Sequence, residues 1–178
     1  MKRIALVLAG ILLFASAVQV RAFDGQRKGF ILGGGLGLGM STYSAEGSPR
    51  FTEFALMTDF KIGYAPSEQV EVFYSSKVSW FEESGTIFSH GLGSVAVNYF
   101  LNPEQPFYLS GGVGFSNLSD PFESNSETWW GVGFFGGAGY EFSRHYAVQF
   151  DLMVGFPQES GFTFNFITPR VLVIATAF

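Results

Sequence analysis

From position 30 onward, apolar residues recur at every second position, the period of a β-strand with one apolar face. Phe30, Leu32, Gly34, Leu36, Leu38 and Met40 share one face; Ile31, Gly33, Gly35, Gly37, Gly39 and Ser41 share the other. A second run sets Phe54, Leu56, Thr58, Phe60, Ile62 and Tyr64 against Glu53, Ala55, Met57, Asp59, Lys61 and Gly63. A third sets Val70, Val72, Tyr74, Ser76, Val78 and Trp80 against Glu71, Phe73, Ser75, Lys77 and Ser79. The fourth opposes Val95, Val97, Tyr99 and Leu101 to His90, Ser94, Ala96 and Asn98; the fifth opposes Phe107, Leu109, Val113 and Phe115 to Tyr108, Ser110 and Ser116. In the sixth, Trp130, Val132, Phe134, Tyr140 and Phe142 oppose Trp129, Phe135 and Glu141; in the seventh, Tyr146, Val148, Phe150 and Leu152 oppose Ala147, Gln149, Asp151 and Met153. The eighth runs from about Phe162 to Phe178. Eight strands of roughly 11–16 residues follow, longer than the usual strand of about 5–6 and long enough for a tilted membrane-spanning strand.

The connections alternate in length. Short ones are expected at Ala65–Glu68, Asn102–Gln105 and Ser143–His145, and longer ones at Ser44–Arg50, Phe81–Thr86, Asn117–Glu127 and Pro157–Gly161. That parity fits an up-and-down barrel with both termini at the short-turn end. Aromatic residues also band. Tyr64, Tyr99, Phe107, Tyr140, Phe142, Tyr146 and Phe178 would ring one end, and Trp80, Trp130, Phe156 and Phe162 the other, as membrane interfaces favour.

Volume decides which face is inside. An eight-stranded barrel has an interior just wide enough for side chains. It cannot hold the large apolar residues of all eight strands, so the apolar face is expected outside, in lipid. The fold class is therefore all-β: a closed, antiparallel, up-and-down transmembrane barrel of eight strands with a side-chain-filled interior. The charges on the inner face must then pair. A tight hairpin at Ala65–Glu68 would bring Lys61 nearly opposite Glu71, and Lys77 has Asp59 or Glu53 as candidate partners. The set reads as a satisfied polar plug rather than an ion path.

Composition narrows the class further. The 178 residues hold 23 glycines, no cysteine and 14% charged residues, against roughly 25% in ordinary soluble domains. The absence of cysteine excludes a disulfide scaffold. With 10 basic and 15 acidic residues, the chain lacks the basic face that nucleic acid requires. Residues 1–22 carry Lys2 and Arg3, then an apolar stretch from Ile4 to Val18, and end at Ala22: a secretory signal pattern. Cleavage after Ala22 would remove Lys2, Arg3 and Arg21, leaving 7 basic against 15 acidic residues and a formal net charge of −8. Residues 23–178 form the barrel domain.

At this point the chain resembles the small eight-stranded outer-membrane barrels of the OmpA/OmpX-like superfamily. The carriers are Gly29–Tyr43, Gly91–Leu101, Pro106–Phe115, Gly131–Phe142 and Val171–Phe178. The resemblance implies insertion in the outer membrane of a diderm bacterium, among its lipids and lipopolysaccharide, with both termini periplasmic. It also implies that the C-terminal Phe178, with Ile174 and Leu172 at alternate positions, is read by the outer-membrane assembly machinery. Arg170 departs from that pattern, since it shares the lipid-facing parity. It would either snorkel to the interface or be turned inward towards Asp151 by a bulge beside Pro169.

Chemical motifs are few. Gly131–Gly136 spells G-x-G-x-x-G, but a dinucleotide site needs a helix after it, and strand continues. His90 and His145 stand 55 positions apart. Some outer-membrane barrels are lipid A deacylases with a lipid-facing Ser and His two positions apart; here position 92 is Leu, His90 has inward parity, and Ser89 and Ser94 lack the spacing. No catalytic, cofactor-binding or metal-binding residue is assigned. The longer loops carry Glu46, Glu82, Glu83, Asp120, Glu123, Glu127 and Glu159 against Arg50 alone, a negative surface. The reading is a monomeric, non-enzymatic barrel with a structural or cell-surface role carried by four loops. A lipid A-modifying hydrolase or acyltransferase would need His90 outward with a Ser hydroxyl in reach. A secreted lipocalin-like carrier would need the apolar face inside.

Overall fold

The structure is a computed structural model that describes residues 27–45, 48–159 and 161–178; the signal pattern at 1–22 and Glu46 lie outside them. Among the described residues eight strands follow one another without a helix: β1 (Gly29–Ala45), β2 (Phe51–Ser67), β3 (Val70–Glu83), β4 (Thr86–Phe100), β5 (Phe107–Ser119), β6 (Thr128–Ser143), β7 (Tyr146–Glu159) and β8 (Phe162–Ala177). Each pairs antiparallel with its sequence neighbour, and β1 pairs with β8, closing the barrel. Closure leaves no strand edge unpaired, which lipid requires.

The faces of β1 to β7 follow the sequence alternation. Leu36, Phe54, Val95, Val113 and Phe115 are each at least 66% exposed, whereas Met57, Glu71, Lys77, Ser116 and Asp151 are at most 2% exposed. In water this arrangement would be inside out. Apolar surface outside and charge inside is the polarity of a barrel whose solvent is hydrocarbon. A lipocalin-like carrier, with its apolar face inside, is thereby excluded. Glycines on the inner face make room for large neighbours. A Cβ at Gly139 would collide with the Tyr108 ring, and one at Gly155 with His90 and Ser116.

Three expectations need correction. The first concerns β8. Its register against β7 and β1 runs without a shift, so no bulge accompanies Pro169. The whole strand takes the opposite parity to the one expected. Arg170, Leu172, Ile174 and Phe178 are 0–7% exposed, and Val171 and Val173 face outward at 52% and 51%. Phe178 leaves the short-turn girdle and lies inside, 5.7 Å from the His145 ring. Both faces of this strand are apolar, so alternation did not discriminate between them; the buried carboxylates that Arg170 meets do.

The second correction concerns the longer connections. Two of the four leave only two positions between their strands. Ser84 (φ 53°) and Gly85 (φ 88°) take the left-handed region, which suits a tight hairpin, so Phe81–Glu83 and Thr86–Phe88 remain strand. Between β7, which ends at Glu159, and β8, which begins at Phe162, Gly161 also takes the left-handed region, at φ 92°. Longer connections remain at 46–50 and 120–127. The third concerns register. Strand β2 runs on to Ser67, through the start of the expected Ala65–Glu68 turn, so the hairpin turns at 68–69 and Lys61 stands opposite Ser75 rather than near Glu71. The long lysine side chain still reaches Glu71 along the barrel, at 3.2 Å.

Candidate functional site

The barrel interior has three levels. At its middle lies a charged layer drawn from four strands. Asp59 of β2 and Lys77 of β3 are direct register partners, and Lys77 Nζ donates to Asp59 Oδ2 at 2.7 Å. It also donates to Asp151 Oδ2 of β7 at 3.0 Å. Arg170 of β8 bonds Asp59 through Nη2 and pairs with Asp151 Oδ1 through Nε at 2.9 Å. Two cations thus face two carboxylates, each touching both partners. Gln149 donates to Asp151 at 2.7 Å and accepts from the Tyr108 hydroxyl at 2.9 Å. Lys77 also sits 4.2 Å over the Phe135 ring. Glu53, the other candidate partner for Lys77, stands nearer the mouth and takes no part.

Towards the short-turn end, Lys61, Glu71 and Asn98 form a second cluster, with Asn98 donating to Glu71 at 2.8 Å. Arg27 closes this end. It lies 4.1 Å over the Phe100 ring, pairs with Glu141 at 2.9 Å and donates to the Pro103 carbonyl at 2.9 Å. No sequence signal marked Arg27, because its partners, on β4, on β6 and in the β4–β5 connection, are far from it in sequence. The spaces left inside these polar levels measure 20 and 10 Å³, about the room of a water molecule. The interior at this level is a plug, not a channel.

His90 faces inward and is 0% exposed. Its Nε2 lies 3.0 Å from Ser116 Oγ, and its ring stacks on Phe166 at 4.2 Å. A Ser hydroxyl is therefore in reach, supplied by a strand that the sequence did not connect to His90. The pair is sealed from lipid and solvent. Ser94 is buried on the same inner parity, and Ser89 bonds Ser119 at 2.9 Å. His145 sits at the opposite end, in the β6–β7 turn, with Nδ1 2.9 Å from the Thr176 carbonyl. The two histidines do not converge. Gly131–Gly136 lies wholly within β6, with no helix to receive a pyrophosphate.

Above His90 the interior opens into an aromatic cup of 180 Å³. Tyr43, Phe81, Phe88, Trp129, Phe164 and Phe166 wall it, and Glu83 stands at its lip. Outside the cup, the 120–127 connection folds back on the barrel. Asp120 accepts from the Glu127 amide at 2.7 Å, Thr86 donates to Glu123 at 3.1 Å, and Phe122 packs 6.3 Å from Trp80. This end carries Glu82, Glu83, Asp120, Glu123, Glu127 and Glu159 with Arg50, so the rim is negative.

No protein-family model matches the sequence, and no curated protein resembles it in sequence. The three-dimensional likeness is clear. The crystal structure of Neisserial surface protein A superposes with a TM-score of 0.60 at 11% identity, over 83% of this chain and 96% of that one. Ail, the attachment invasion locus protein of Yersinia pestis, superposes with a TM-score of 0.57 at 14% identity, over 85% of this chain and 99% of that one. Ail in complex with the heparin analogue sucrose octasulfate gives 0.56 at 13% identity, over 85% and 99%. The chain has the fold of the small eight-stranded outer-membrane barrels.

Within that fold its exterior is informative. Tyr64, Tyr99, Phe107, Tyr140, Phe142 and Tyr146 are 44–56% exposed around the short-turn end, with Phe107 and Tyr140 4.8 Å apart. Trp130 and Phe162, at 62% and 60%, stand at the other end. Between the two aromatic bands the exposed large side chains are mainly Leu, Val, Ile and Phe, with Met40 and Tyr74 among them. Two girdles around an apolar belt are what a barrel in a bilayer shows. The chain is a transmembrane β-barrel.

Proposed function

We propose that the chain is an integral outer-membrane protein of a diderm bacterium, monomeric and non-enzymatic, that acts at the cell surface through its acidic mouth. The observation that carries this reading is the contrast between a sealed interior and a built rim. The charged layer blocks passage, so transport through the barrel is not the task. What remains available to a partner is the end where the β3–β4 hairpin and the 120–127 connection meet. Lipids and lipopolysaccharide surround the apolar belt, and both termini lie on the periplasmic side. Divalent cations would link the acidic rim to anionic lipopolysaccharide, and basic partners would meet it directly. A polyanion such as the sulfated sugar on Ail would be repelled. The lipid-facing Ser and His that lipid A chemistry needs are not formed, because His90 and Ser116 point inward. Phe178 is available to the assembly machinery before the barrel closes, so its final inward position does not oppose that role.

Orientation is testable because the native chain has no cysteine. Ser124→Cys, in the 120–127 connection, is expected to react with a membrane-impermeant maleimide on intact cells. Glu104→Cys, at the short-turn end, is expected to react only after the outer membrane is permeabilised. Labelling in the reverse order would put the acidic mouth in the periplasm and end the surface reading.

A further inference from the structure

The polar layers already seal the barrel, so the aromatic cup above them is not needed as a stopper. Its rings come from strands far apart in sequence. Tyr43 packs on Phe166 at 5.3 Å and on Phe81 at 5.5 Å; Trp129 and Phe164 stack at 6.1 Å. Ordinary core would fill the space between them. Here 180 Å³ stays open, and an apolar cavity of about 150 Å³ holds a benzene-sized guest.

Charge selects the class of guest. Glu83 is the one charged residue lining the cup. Neither Lys nor Arg lines it. The nearest cation below, Arg170, is already committed to Asp59 and Asp151. The acidic rim draws cations towards the mouth and turns anions away. Aromatic faces carry the negative side of their quadrupole and attract a cation that sheds its water easily. A metal ion would find too few oxygen ligands. A primary amine would keep most of its hydration, because the walls offer it little beyond one carboxylate.

We propose that the cup binds a small quaternary ammonium group, with the methyls against the rings and the charge beside Glu83. The inference goes beyond the surface role and does not rest on it, since the cup opens at the same mouth whichever side of the membrane that mouth faces. The test uses the full chain in a non-ionic maltoside micelle free of choline head groups. Choline is titrated against 3,3-dimethyl-1-butanol, its uncharged isostere, and the heat is recorded. Saturable one-site binding of choline is expected, at least tenfold tighter than the isostere. Glu83→Gln is expected to weaken choline about tenfold while the barrel still shows heat-dependent gel mobility. Absence of saturable choline binding overturns the proposal. Equal binding of the isostere also overturns it, by making the cup a site for neutral apolar solutes. The isostere comparison uses the unaltered chain, so it decides the matter even if the variant does not fold.

Discussion

Replacing Arg170 by alanine is expected to destabilise the barrel by about 3–5 kcal/mol, the usual cost of breaking a buried ion pair from one side. The side chain is 0% exposed and touches Asp59 and Asp151. Without it, two buried carboxylates share the single ammonium of Lys77. Reversible denaturant unfolding in lipid vesicles measures the loss as a lower midpoint. The paired replacement Arg170→Met with Asp151→Leu removes one charge of each sign and leaves Lys77 with Asp59. It is expected to cost less than Arg170→Ala alone. An arginine that snorkelled to the membrane surface would give a different result, a loss of about 1 kcal/mol or less.

The second large effect concerns the outer face. Val113 lies at the middle of β5 and is 68% exposed. In a water-soluble protein, arginine at such a site changes stability by no more than about 0.5 kcal/mol. At the midplane of a bilayer it costs about 2–4 kcal/mol. Val113→Arg is therefore expected to lower folding stability in vesicles by that larger amount. Phe142→Arg, one residue from the end of β6, is expected to cost only about 0–1 kcal/mol for its charge, because the interface admits charge. A depth-independent, near-zero cost at Val113 would mean that this face meets water.

Most of the fold was legible because seven strands alternate one sort of residue with another. Glu53, Asp59, Lys61, Glu71, Lys77 and Asp151 all fall on one parity, and an eight-stranded barrel can bury only that set. The ion pairs Lys61–Glu71 and Lys77–Asp59 followed from the same logic. The last strand defeated it. Val171 and Val173 are as apolar as Leu172 and Ile174, so the only informative residue was Arg170, and a terminal phenylalanine argued for the wrong face. The acidic Glu82 and Glu83 beside Ser84 and Gly85 looked like a loop; two left-handed turn residues made them the tip of a hairpin. The site was less legible than the fold. His90 and Ser116 meet across the β4–β5 pairing, 26 positions apart, and only a register gives that contact. The cup is assembled from the ends of β1, β3, β4, β5, β6 and β8; Phe81, Glu83 and Leu118 fell in expected loops, and the other walls stood in strands that only the register brings together. Inner-face aromatics at strand ends, such as Trp129, were the one signal that could have pointed to it.

The central claim is a closed barrel embedded in lipid, and gel mobility tests it most directly. The full chain is expressed in a diderm host, the outer-membrane fraction is taken up in SDS, and boiled and unboiled portions are compared. The protein is expected in that fraction, with a mobility that changes on boiling as the closed barrel unfolds. A soluble periplasmic protein whose mobility is the same before and after boiling would contradict it, and the apolar face would then belong inside.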